Sequence, residues 1–235
     1  MKKVTNKLLF SGLAVIIIAF FITVFSWLDI KSEEDHYKDI QDDTTEEEID
    51  VKPETRQLEP FERIQVGVSH IKYVKSDKYE LVIPYGINVN DFVDDNELII
   101  TTNDIRSIIN NDTIVIYSPS CKKIETLFSS NIECDEIDSD TITIINSDNS
   151  SVYVDKMNSK RVKLINKSQG DFNIANIDAD YLNVRTEEMG SVSISGTVRK
   201  AVISCEGSGK IDISGMTCPD ISIQEGEENV ITRKE

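Results

Sequence analysis

Of the residue types that carry acid–base, nucleophilic or metal chemistry, this chain is rich in only one. Its 235 residues include 42 acids and 25 bases but only 4 Cys and 2 His, for a formal net charge of −17. His36 falls in an acidic tract and His70 in a turn, so a Ser/His/Asp or Cys/His constellation has almost no imidazole to be built around. Both read as solvated histidines. Cys121, Cys134, Cys205 and Cys218 lack zinc-site spacing, and there is no Gly-rich phosphate loop or nonapeptide calcium repeat. Asp91, Asp94, Asp95 and Glu97 cluster, but as a loop before Leu98 rather than as a metal site. The charge excludes nucleic acid, since phosphate binding needs a basic face. No catalytic, cofactor-binding or metal-binding residue is assigned.

Carboxylates remain, and two of them held at a fixed separation could cleave a glycosidic bond. The question passes to the elements that would position them. From residue 61 the apolar period is two: Phe61–Val66, Ile71–Val74, Tyr79–Pro84, Leu98–Thr101 and Thr113–Tyr117 are short β-branched or aromatic runs. Gly86, Asn88, Asn90 and Asn110-Asn111 separate them, and long helical patterns are absent. The region is all-β.

Beyond about residue 130 an apolar–x–apolar pair recurs every ten residues, with one step of nine. The pairs are Ile132/Cys134, Ile142/Ile144, Val152/Val154, Val162/Leu164, Phe172/Ile174, Leu182/Val184, Val192/Ile194, Ala201/Ile203, Ile211/Ile213 and Ile221/Ile223. The residue inside each pair is polar in all but Tyr153 and Val202. Such alternation marks strands with one buried face. A ten-residue period fits an antiparallel meander or a solenoid with two strands per coil, and the doubled period separates them. Ser130, Ser150, Gly170, Gly190 and Gly209 precede every second strand, and Ile194-Ser195-Gly196 returns as Ile213-Ser214-Gly215. A meander has no reason to repeat on every second strand; a solenoid does, because its tight corners need small residues or positive φ. The expected fold is a two-sheet solenoid of five coils, about 20 residues per coil, rising about 25 Å. The strands of 61–118 cap one end, and Glu225, Glu227, Glu228, Lys234 and Glu235 discourage pairing at the other.

In that arrangement one outward face reads Glu133, Tyr153, Asn173, Ser193, Asp212 and the other Thr143, Lys163, Asn183, Val202, Ser222. Neither pairs carboxylates beside an aromatic stripe. Glu133 and Asp212 are four coils apart, roughly 19 Å by strand spacing, whereas inverting glycosidases hold their carboxylates about 6.5–9.5 Å apart and retaining ones closer.

Ahead of this domain lie three charge regimes. Residues 1–7 carry Lys2, Lys3 and Lys7; residues 8–28 carry no charge; residues 29–60 carry 13 acids against four bases. Leu8 to Leu28 is long enough to span a bilayer core of about 30 Å. Trp27 suits the interface, and the lysines place the N-terminus in the cytoplasm. The competing reading is a signal peptide cleaved after Ser26, although the apolar run is long for one and no Cys follows for lipid attachment. Residues 29–58 cannot bury enough surface to offset their ordering entropy and read as a disordered acidic linker. The expected organisation is a cytoplasmic tail 1–7, a transmembrane signal anchor 8–28, a linker 29–58 and an extracytoplasmic solenoid 59–235. Disulfides are allowed in that compartment. Cys134 nevertheless reads as a small core residue, and Cys205 and Cys218 fall at opposite edges of a coil, too far apart to bridge.

The chain resembles a bacterial family, the auto-transporter adhesin head domain, also called the head GIN domain. The resemblance covers about 59–230 and rests on Phe61-x-x-Ile64-x-Val66, the Ile71–Pro84 and Leu98–Thr101 strands, and the late Ile-Ser-Gly and Gly207-Ser208-Gly209 turns. It implies that such turns join the sheets of a right-handed β-helix, that no residue is catalytic, and that adhesion is the proposed role. This sequence departs from the pattern in having Gly-Ser-Gly once, serines at the early corners, and an anchor helix rather than a lipoprotein signal. The expected function is a membrane-anchored, non-enzymatic binding, adhesion or envelope scaffold module without cofactors, whose ligand is a protein or an envelope glycan. The alternative is a β-helix enzyme acting on cell-envelope polysaccharide.

Overall fold

The alternation from residue 61 onward folds as its period requires. In the computed structural model, residues 52–103, 112–226 and 230–233 are described, and these contain strands and no helix. The expected tail, anchor and most of the linker lie outside the described residues.

The repeat comprises β9 (Asn131–Asp138), β10 (Thr141–Asp148), β11 (Ser151–Ser168), β12 (Phe172–Thr186), β13 (Ser191–Cys205), β14 (Lys210–Asp212), β15 (Met216–Thr217), β16 (Asp220–Glu225) and β17 (Val230–Thr232). Every pairing among them is parallel. Ile132, Val152, Phe172, Val192 and Ile211 stack in one register column, and Ile142, Val162, Leu182, Ala201 and Ile221 in another. The result is a β-solenoid of about five turns. All members of the ten apolar pairs are buried except Ile221 and Ile223, which are half-buried on β16, where their register partners are Ala201 and Ile203 of β13. Each fully buried Ile or Val contributes about 1.5–3 kcal/mol relative to exposure.

The turn between the two main strands of a coil, expected as a bend, is itself a short ladder. Ile137, Met157 and Ile177 pair in register and are buried. Ser159, Ala179 and Val198 line the same interior two residues later. Each coil therefore has three faces rather than two. The single nine-residue step falls here. Between β12 and β13 the register slips after Ile174/Ile194, so that Ile177 meets Gly196. Gly196 has φ +124°, and a Cβ there would lie 2.2 Å from the Ile177 carbonyl oxygen. A bulge of this kind needs a residue without a Cβ.

The corner glycines serve a different purpose. Among described glycines only Gly86 and Gly196 have positive φ. A Cβ on Gly170 would sit 2.2 Å from Ser150 O, and one on Gly190 would sit 2.3 Å from Ser168 O. These corners need smallness because one coil's backbone presses on the next.

Before the repeat come β1 (Glu54–Gln57), β2 (Arg63–Gly67), β3 (His70–Lys75), β4 (Glu80–Ile83), β5 (Asn90–Asp94), β6 (Glu97–Thr101), β7 (Ile114–Ser118) and β8 (Lys123–Thr126). The strands of 61–118 lie at one end of the repeat, as expected, but four of them continue the solenoid instead of only capping it. β2 and β3 form a coil inserted between later ones: β2 pairs in parallel with both β6 and β8, and β3 with both β7 and β9. The cap is antiparallel and smaller, with β4 against β7, β1 against β4, and β5 against β6. The expected linker boundary at 58 also moves. Glu54–Gln57 is a strand, Gln57 donates to Glu80 at 2.6 Å, Arg56 pairs with Asp91, and Leu58 packs on the core.

Candidate functional site

The outward columns are those read from the sequence. Glu133, Tyr153, Asn173, Ser193 and Asp212 are successive register partners on one face. Thr143, Lys163, Asn183, Val202 and Ser222 are successive partners on another. Glu133 and Asp212 are thus four strand steps apart, about 19 Å. The Asp212 carboxyl is held below the usual range by hydrogen bonds from the Ser214 hydroxyl and backbone N–H. A glycosidase acid needs the opposite shift.

The acid cluster Asp91, Asp94, Asp95 and Glu97 is a hairpin, not a loop. Asp95 and Asn96 form its turn, with φ +43° and +65°, the left-handed geometry that two-residue hairpins require. Its acids turn to different cations: Asp91 to Arg56, Asp95 to Arg63 at 3.0 Å, and Glu97 to Lys123 at 3.3 Å. The cluster is dispersed rather than convergent. His70 opens β3, and His36 lies outside the described residues.

Cys121, Cys134 and Cys205 are buried and Cys218 is half-buried, and none of the four is joined in a disulfide. Burial pushes the Cys121 thiol up to about 12 and raises Cys134 as well. The Cys205 sulfur accepts from the Thr186 hydroxyl at 2.9 Å, while the Cys218 thiol donates to Asp220 O at 3.3 Å.

Concavities among the described residues include two of similar size. One, of about 320 Å³, lies over the short third face and is lined by residues including Asp138, Asp140, Asn158, Lys160, Asp178 and Asp180. Its charges are largely spoken for: Lys160 pairs with Asp140 at 2.8 Å, Lys75 with Asp138 at 2.6 Å, and Arg199 with Asp180 at 3.1 Å.

The other, also about 320 Å³, is lined by Gly67, Ser69, Thr102, Phe128, Ser129 and Ser130. Phe128 sits at a coil corner with φ +63° and is 65% exposed. Its backbone is fixed by the next coil. Phe128 N–H donates to Asp148 Oδ2 at 2.7 Å, and its carbonyl accepts from Asn149 N–H at 2.9 Å and from the Ser150 hydroxyl at 3.2 Å. The ring lies over Gly67, where a Cβ would come within 3.1 Å of it. Phe128 is not among the candidates read from the sequence. The available signal was a large aromatic outside the apolar pairs, two residues before the corner serine Ser130.

Residues 60–226 match the family model described as "Putative auto-transporter adhesin, head GIN domain". No curated protein matches the chain. Among solved structures, a putative lipid binding protein from Parabacteroides distasonis is similar at 20% identity and a TM-score of 0.62, over 73% of this chain and 78% of its own. A putative adhesin from Bacteroides fragilis is similar at 17% identity and a TM-score of 0.52, over 79% and 97%. A putative adhesin from Parabacteroides distasonis is similar at 14% identity and a TM-score of 0.53, over 78% and 95%. At these identities the likeness concerns fold.

Proposed function

The chain belongs to the head GIN domain family, and we propose that it is a non-enzymatic binding module displayed outside the cytoplasm from a single-pass membrane anchor. Leu8–Leu28 is the anchor, entered from Lys2, Lys3 and Lys7, and the acidic residues after it hold the solenoid away from the bilayer. The coil is right-handed, the hand that parallel crossover connections favour.

The observation that carries this reading is the outward register column from Glu133 to Asp212. It presents a flat, polar face on a rigid ladder, with its two acids about 19 Å apart and Asp212 held ionised by Ser214. Such a face can recognise a partner but cannot share a proton across a glycosidic bond. The adhesin and lipid-binding descriptions of the similar structures point the same way, toward binding of an envelope component. The test is retention of isolated cell-envelope material by the full chain in lipid nanodiscs. Saturable retention supports the reading; turnover of envelope polysaccharide, with release of reducing ends, would replace it by the enzyme.

A further inference from the structure

We infer that the outer edge of β16 receives an extended, cationic segment of a partner protein, which adds one strand to the solenoid. The inference goes beyond the binding reading above and does not use the face from Glu133 to Asp212. β16 has a register partner on one side only, β13, and at six residues it is the longest described strand with a single neighbour. On the other sheet the stack is one strand taller, because β17 pairs with β14 through Ile211 and Ile231. β16 is a shelf beside a ladder that has already continued.

Two features of this shelf fit a strand. One is its backbone. Gly226 N–H reaches back to Cys205 O at 3.1 Å, so by the period of two the amides of Ser222 and Gln224 also face β13, and those of Ile221, Ile223 and Glu225 face the open side. Among the described residues no strand pairs with them there. Donors and acceptors that recur every two residues, about 6.6 Å, match the backbone of another strand rather than a glycan or an acyl chain. The other feature is the interior. Ile221 and Ile223 are half-buried, whereas the same two columns are closed one coil earlier at Ala201 and Ile203. A further strand with apolar residues at those two positions would close them.

Charge selects the partner. Residues 220–235 carry five acids, Asp220, Glu225, Glu227, Glu228 and Glu235, against Arg233 and Lys234. Two copies joined edge to edge would bring these like charges together, whereas a cationic strand is attracted to them. The Asp220 side chain, 63% exposed, already takes Lys200 of β13 at 3.0 Å, and a cation in the same column of the added strand would approach it from the other side. The partner segment is then a cation, an apolar residue, a polar one and a second apolar one, running parallel to β16 as the pairings of the repeat do.

The experiment uses the full chain in lipid nanodiscs and the peptide Lys-Val-Thr-Val-Thr-Lys, titrated by fluorescence anisotropy to a Kd, with amide hydrogen exchange read at saturation. Exchange is expected to slow about tenfold or more at Ile221, Ile223 and Glu225, and to stay as it was at Ser222 and Gln224, whose amides already face β13. Two altered peptides should each bind about tenfold or more weakly: one with both lysines replaced by glutamate, the other N-methylated at the two threonines, whose amides would face β16. Asp220→Asn should weaken the parent peptide by about two- to fivefold, the worth of one cross-strand ion pair. No binding, binding undiminished by N-methylation, or slowed exchange only at other amides overturns the assignment. So does slowing at the same three amides that grows with protein concentration when no peptide is present, which would give the edge to a second copy. Each of these outcomes leaves the reading of the outward face as it was.

Discussion

Asn146 donates from Nδ2 to Oδ1 of Asn166, one coil away at 3.2 Å, with the two residues only 0% and 1% exposed. The same amide donates to Ser150 O at 2.8 Å, and its Oδ1 accepts from the Thr126 hydroxyl at 2.7 Å. A polar column, Thr126, Asn146, Asn166, Thr186 and Cys205, thus runs through an otherwise apolar interior in continuous register. The column is buried, so each group must find its partner within the protein. The column has one gap: Asn166 Nδ2 is buried without a hydrogen-bond partner.

That gap ranks two substitutions. Asn146→Ala strands the Thr126 hydroxyl, while Ser150 O keeps the Ser168 hydroxyl and Asn166 Oδ1 keeps the Ser168 N–H as donors, so it should cost about 2 kcal/mol, within the 1–3 of one buried orphan. Asn166→Ala also breaks the column but removes an orphaned donor with it, so about 1 kcal/mol is expected. Urea unfolding midpoints compare them directly, and equal losses would mean that Asn166 Nδ2 is satisfied in solution.

The corner glycines and the turn glycine should respond differently to a methyl group. Gly190→Ala drives a Cβ to within 2.3 Å of Ser168 O and 2.4 Å of Gly170 O, both backbone atoms that cannot swing aside. The expected loss is about 3 kcal/mol or more. Gly86→Ala meets nothing within 4 Å and bears only the cost of φ +79°, about 1–2 kcal/mol. Thermal denaturation of the two variants checks the order.

The parts of this fold that were legible in sequence are those where side chains in one column repeat the same choice. Ile132 to Ile211 and Ile142 to Ile221 declared both register and spacing, because a residue that faces the core must be apolar at every coil. The short third face was hidden because its inward positions hold Ile137, Met157, Ile177 and then Gly196, a column without a common type. The insertion of β2 and β3 between later coils left no trace, since Ile64 reads the same whether its neighbours are Leu98 and Ile124 or any other pair. The Phe128 corner occurs once, and a period cannot announce what does not repeat.

Buried protonated groups make the fold sensitive to alkali. Burial raises Tyr73, Cys121 and Cys134 above their ordinary values, Cys121 to about 12. Unfolded thiols titrate near 8.5 and phenols near 10. Between those values and the folded ones, the native state keeps protons that the unfolded state has released, so stability falls as pH rises. It is fully present below about pH 8 and declines from about pH 9 toward 12, by at most about 1.4 kcal/mol per pH unit for each group. Tm measured from pH 7 to 11 should fall accordingly, and Cys121→Ala should flatten part of the slope. An unchanged slope in that variant would assign the loss to other groups.

Ile194 is 0% exposed, with Ile174 as its register partner. Ile194→Asp would bury a carboxylate with no cation or donor set for it, so the loss should be several kcal/mol, enough to unfold a domain of ordinary stability. Ser193 is one residue away on the outward face, between Asn173 and Asp212. Ser193→Lys places a cation beside the Asp212 carboxylate, and cross-strand pairs of that kind are worth about 0.2–1 kcal/mol. The lysine variant should therefore unfold at the parent midpoint or slightly above it, with the small gain disappearing in high salt. Comparable damage from the two substitutions would mean that Ser193 faces inward and that the register from β12 to β14 is displaced by one residue.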